Sequence, residues 1–71
     1  MPYHYTLCRI SPLEELAHAR EINDDAALAL LGQQAGFPII KCDHHSDLYV
    51  VRSNPNAPKD PSTIINVDRS G

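Results

Sequence analysis

The hardest constraint on this chain is how little it has to build a core with. It has 71 residues, no Trp, a single Phe and three Tyr. A chain of that length hides only about 60% of the surface it exposes when unfolded, so one domain is the ceiling and its core is marginal. The interior must come from Leu, Ile, Val, Ala and the tyrosines. Apolar residues at 42% and charged residues at 21% place the chain among globular domains rather than disordered ones. Domains this small usually gain a further stabiliser: a disulfide, a metal, a partner or very regular packing.

Local signals divide the chain. Tyr3-His4-Tyr5-Thr6-Leu7-Cys8-Arg9-Ile10 reads as a strand with Tyr3, Tyr5 and Leu7 on one face. Ser11-Pro12-Leu13-Glu14 has the form of a helix start, with Ser11 as cap, Pro12 in the first turn and Glu14 completing a capping box. The spacing predicts a first helix to about Glu21, with Leu13, Leu16, Ala17 and Arg20 on one side. Asn23-Asp24-Asp25 predicts the cap and acidic first turn of a second helix, ended by Gly36 and Pro38. Its inward residues are Ala27, Leu28, Leu31 and Ala35. Gly32 is a weak point within it, worth about 1 kcal/mol against Ala.

Ile39-Ile40-Lys41-Cys42 and Leu48-Tyr49-Val50-Val51-Arg52, separated by a polar stretch, read as a hairpin. The following stretch carries Pro55, Pro58 and Pro61 at three-residue spacing, which fits one edge of a polyproline II segment. Thr63 to Val67 is a candidate last short strand, with fraying expected beyond it. The expected architecture is therefore α+β, β-α-α-β-β, with a compact core over residues 1–53. Residues 54–71 are expected to form a Pro-rich loop and C-terminal segment, with packing of that segment on the core left open.

Several chemistries find little footing. Cys42-Asp43-His44-His45, with Cys8 or His4 brought in from a neighbouring strand, is the one metal-like grouping. It lacks the paired spacings that make zinc motifs specific, so no metal or other cofactor is expected. Cys42 beside His44 supplies nucleophile and base types, but no nucleophile motif accompanies them. The carboxylate pairs Glu14-Glu15 and Asp24-Asp25 fall at predicted helix starts, where the helix dipole accounts for them. An enzyme is not expected. No apolar run reaches 18 residues and the N-terminus lacks a signal-peptide pattern, so the expectation is a cytoplasmic protein with Cys8 and Cys42 as free thiols and no membrane association.

Ala27 to Gly32, A-L-A-L-L-G, resembles the first helix and turn of excisionase-like and MerR-like DNA binders, which implies a winged helix-turn-helix. Only Gln33-Gln34-Ala35-Gly36 remain before the Phe37-Pro38 break for a recognition helix, and residues 21–40 hold no Lys or Arg to meet phosphate. A DNA-binding regulator and a small zinc-stabilised module are thus the alternatives to the main reading, which is a domain that binds another protein. Tyr3, Tyr5 and Tyr49, with the proline edge Pro55, Pro58 and Pro61, are its candidate contact residues. The net charge of −3 and the scattered basic residues suit a partner with a basic groove. In size and general character the chain resembles small phage-encoded transcription regulators that bind host RNA polymerase. That resemblance implies action by occupying a surface of polymerase, with no chemistry of its own.

Overall fold

The computed structural model describes residues 1–70. Five strands and one helix follow in the order β1 (Tyr3–Arg9), β2 (Glu14–Glu21), α1 (Asp24–Ala35), β3 (Ile39–Lys41), β4 (Leu48–Ser53) and β5 (Thr63–Arg69). The strands form one antiparallel sheet in the order β2-β1-β4-β5-β3. The helix packs on one face of that sheet. The fold is α+β, with one helix rather than the expected two.

The first expected helix is a strand. Residues 14–21 pair with β1 along its length, and burial alternates with a period of two: Ala17 and Ala19 are buried while His18 and Arg20 are exposed. Pairing with β1 overrides the local capping signal, as tertiary context can do to weak propensities. Ser11, expected to cap, lies in the β1–β2 turn. There its backbone N–H donates to Asp47 Oδ1 at 3.1 Å. The pairing slips between Leu7 and Cys8, so Leu16 is the extra residue of a β-bulge. Small Ala side chains at 17 and 19 let α1 sit close over β2. Gln34 also reaches the edge of that strand: its side-chain amide donates to the His18 carbonyl at 2.7 Å, and its oxygen accepts from the His18 N–H at 3.2 Å. This covers backbone groups that a sheet edge otherwise leaves open.

The second expected helix is α1, with the expected bounds. Asn23 caps it by accepting from the Ala26 N–H at 2.9 Å, and Gly36 ends it at φ 89°. Ala27, Leu28 and Leu31 are buried against Tyr5, Leu7, Ala17, Ala19, Leu48, Val50, Val67 and Ile39. Gly32 is required rather than merely tolerated. A Cβ there would meet the Phe37 carbonyl oxygen at 2.9 Å and Pro38 Cα at 3.3 Å, because the chain folds back across the helix at this point. Among the described residues there is one helix, so the helix-turn-helix implied by the Ala27–Gly32 resemblance is not formed.

The expected hairpin also gives way. β3 and β4 do not pair with each other; β5 lies between them, and Lys41 and Leu48 both face Val67 from opposite sides. The chain crosses from one side of β5 to the other through residues 42–47, pinned by the Ser46 hydroxyl on the Val67 carbonyl and by His44 Nε2, 3.5 Å from Asp68 Oδ2. The gain is a second partner strand for β5, whose Val67 is fully buried. Strand β5, Thr63–Arg69, is thereby an interior strand of the sheet, and its Val67 shares the core of residues 1–53.

Candidate functional site

Alternation along the strands gives the sheet two unlike faces. Tyr5, Leu7, Leu48, Val50 and Val67 meet the helix. On that same inward phase sit three polar or charged chains: Tyr5 on β1, Arg52 beside it on β4, and Lys41 on β3, farther along the sheet in the Val67 row. All three converge on Asp24 in the first turn of α1. Tyr5 donates its phenolic O–H to Asp24 Oδ1 at 2.8 Å, Lys41 Nζ lies 2.8 Å from Oδ2, and Arg52 Nη1 lies 3.1 Å from Oδ1. The Asp24 side chain is only 18% exposed. The Lys41 hydrogen bond, joined by those from Tyr5 and Arg52, outweighs burial and holds the Asp24 carboxyl down at about 2. Burial first, then the neighbouring Asp24 charge, push Tyr5 up to about 12. Arg52 is raised by its bond to Asp24.

Arg52 also lies over the Tyr3 ring, 5.1 Å from its centroid, and Tyr3 stands edge-on to Tyr5 at 6.4 Å. Two shallow hollows flank this pair. One of about 360 Å³ includes Tyr3, Asn23, Asp24, Asp25, Lys41 and Arg52; the other, about 180 Å³, includes Tyr3, Arg52, Asn54, Asp60, Pro61 and Thr63. Of the candidate contact residues, Tyr3 and Pro61 therefore share one site.

The others are dispersed. Tyr5 is fully buried and offers no surface to a partner, because its strand phase points it under α1. Tyr49 lies half-buried on the opposite face of the sheet, and Cys8 beside it pushes the phenol's pKa up. Pro55, Pro58 and Pro61 are exposed, but they line no polyproline edge. Asn54 to Ala57 and Ala57 to Asp60 form two successive turns, closed by Ala57 N–H to the Asn54 carbonyl at 3.1 Å and Asp60 N–H to the Ala57 carbonyl at 2.9 Å. Pro55 and Pro58 each occupy the second turn position, which their fixed φ suits. Turn hydrogen bonds thus decide what proline spacing alone suggested otherwise.

The metal-like grouping is not assembled. Cys42 follows β3 and Cys8 sits on β1, three strand spacings or roughly 14 Å away across the sheet. The Cys42 thiol donates to the His44 carbonyl at 3.2 Å, and both cysteines are free. Among the described residues no three His, Cys, Asp or Glu side chains are grouped to hold a metal ion.

Sequence reasoning missed Asp24, Lys41 and Arg52 as a set. A signal was present: Arg52 continues the inward phase of Leu48 and Val50, and Lys41 that of Ile39, so each puts a charge where an apolar side chain is expected.

Among the described residues the assembly is a two-layer α+β domain with a polar cluster built around Asp24 and one uncovered sheet face. Comparison with protein-family models, with curated proteins and with solved structures returns no match. Among the described residues no helix is long and apolar enough to cross a membrane.

Proposed function

We propose that the protein is a small non-enzymatic regulator that binds a protein partner through its Tyr3–Arg52 end, and that this partner is RNA polymerase or another protein of a transcription complex in the cytoplasm. The observation that carries the reading is the Tyr3–Arg52 stack held by Asp24 beside Pro61. Tyr and Arg are the residue types that dominate binding energy at interfaces. Here they are already fixed, so binding loses less side-chain entropy than it would with free rotors. The turn-locked loop adds a rigid rim. A net charge of −3 favours the basic surfaces that nucleic-acid machines present. Catalysis is not part of the reading, since the Asp24 carboxylate is engaged by three donors.

The test is binding of labelled protein to purified RNA polymerase and, separately, to duplex DNA across a salt series. Polymerase binding without DNA that is weakened by Tyr3→Ala is the expected result. Affinity for DNA alone that falls steeply with salt would replace this reading with a nucleic-acid one. Absence of polymerase binding removes polymerase as the partner.

A further inference from the structure

The face of the sheet away from α1 has no covering layer. Its central rows are Thr6 and Cys8 on β1, Tyr49 and Val51 on β4, and Ile64 and Asn66 on β5, set side by side by the strand register. Two grooves run either side of Tyr49. One, about 550 Å³, is walled by Thr6, Cys8, Leu13, Glu15 and Val51; the other, about 330 Å³, by Ile10, Leu48, Ile64 and Asn66. Leu13 at 75% and Ile64 at 57% are among the most exposed large apolar side chains of the protein, and Ile10 and Ile40 stand on the same margin at 50% and 52%.

Charge on this face is arranged along the strands rather than across them. On β2, Glu15 lies at the turn end, while His18 and Arg20 lie toward the other end, where Arg20 stands beside His4 of β1. His4 and His18 stack with ring centroids 5.8 Å apart. Among the described residues Arg20 has no acidic partner within ion-pair distance. Glu15 has only His18, at 3.5 Å.

From this pattern we infer that a second copy of the chain covers the open face, in a two-fold dimer whose axis runs across the strands between Tyr49 and Val51. That operator lays each strand antiparallel over its own copy. Tyr49 then faces Val51 of the second copy, Ile64 faces Asn66, and Glu15 faces His18 with Arg20 beyond it. Both halves of an isologous contact must be self-complementary, and a strand row acidic at one end and basic at the other meets that condition. Aligned sheet-on-sheet packing is the ordinary way to cover such a face. Five strands about 4.8 Å apart and about 20 Å long give a flat footprint of roughly 500 Å², which side-chain relief brings toward the ~800 Å² per partner of a standard interface. A dimer would also supply the extra stabiliser that a core this small lacks.

The test uses the full chain in sedimentation velocity from micromolar to several hundred micromolar, with Val51→Lys, Ile64→Lys, Glu15→Arg and Arg20→Glu variants. Their folding is checked by circular dichroism, and two independent lysine sites guard against one variant failing to fold. The expected result is a concentration-dependent dimer in the parent. Each lysine variant should weaken the dissociation constant about tenfold or more, each charge reversal should weaken it, and the double reversal should recover it. A parent that stays monomeric throughout, or a dimer untouched by both lysine variants, overturns the inference. Because this face lies opposite Tyr3 and Arg52, loss of the dimer and loss of polymerase binding are separable outcomes.

Discussion

Tyr5 and Asp24 lie 19 residues apart and are joined by one hydrogen bond of 2.8 Å that ties β1 of the sheet to the first turn of α1. The carboxylate thus serves two purposes. It meets the positive end of the helix dipole, and it pairs with both Arg52 and Lys41 as they approach from strands on either side of β5.

Asp24→Asn should therefore destabilise the domain in a pH-dependent way. The folded carboxyl titrates at about 2 against an ordinary 3.8, so its contribution is complete above the ordinary value and is lost as pH falls toward 2. A depression of this size corresponds to roughly 2 kcal/mol as an upper figure, since Lys41 is half exposed. Urea titrations of parent and variant at neutral pH should differ by about 1–2 kcal/mol and converge near pH 2. A difference independent of pH would mean that the carboxylate charge is not what matters.

Tyr5→Phe tests the other partner and acts at the alkaline end. Tyr5 is pushed up to about 12 from 10, so the stability associated with its neutral form is full below 10 and is lost as pH rises through about 12. The variant should lose that alkaline limb and cost about 1–2 kcal/mol at neutral pH through the missing bond to a charged acceptor. Ultraviolet titration of the parent should show late-ionising tyrosine absorbance from both Tyr5 and Tyr49, and the Tyr5 share of it should disappear in Tyr5→Phe.

Gly32→Ala should destabilise the protein by about 1–3 kcal/mol, reversing the usual gain of about 1 kcal/mol for Ala over Gly within a helix. The added methyl would press on the Phe37 carbonyl at 2.9 Å. Gly36→Ala should also cost about 1 kcal/mol, but for the left-handed backbone alone, because nothing lies within 4 Å of its Cβ position. Equilibrium denaturation of both variants checks the pair. A neutral Gly32→Ala would show that the return of the chain at Phe37 is not tight.

Asn23→Ala should cost about 1 kcal/mol by leaving the Ala26 N–H without its cap. Ser11→Ala should change stability by less than about 0.5 kcal/mol, since Ser11 contributes its backbone rather than its side chain to the turn. Thermal melts of the two single variants would separate these roles.

Chelator treatment should leave the far-ultraviolet circular dichroism and the melting temperature unchanged. Loss of structure with EDTA that zinc restores would contradict this, and would make the cysteines and histidines a structural site.

How much of this could be read from the chain differs element by element. The helix Asp24–Ala35 was legible because its signals are local: a capping Asn, two acidic residues and a terminating Gly act within one or two turns. The strand phases of Tyr3-Tyr5-Leu7 and of Leu48-Val50 were legible for the same reason, since side-chain direction alternates whatever the strand pairs with. Residues 14–21 read as a helix because the local signals point that way: Ser11 to Glu14 have the form of a capping box, and Leu13, Leu16 and Ala17 fit a helix face. The strand alternation of Ala17 and Ala19 is too short to outweigh them.

Only the tertiary structure chose. Pairing with β1 and the seat of α1 over Ala17 and Ala19 turned that segment into an edge strand. Insertion of β5 between β4 and β3 separated the expected hairpin and brought Lys41 and Arg52 around one carboxylate. Taken alone, the sequence determined which residues are apolar, where the helix Asp24–Ala35 starts and stops, and that Tyr3, Tyr5 and Leu7 share one strand face, but not that this face is the buried one. The Asp24 cluster depends on contacts between residues 17 to 28 apart, and the strand neighbours on pairings that reach from Arg9–Glu14 to His4–Ser53; their free energy exists only once the sheet has closed.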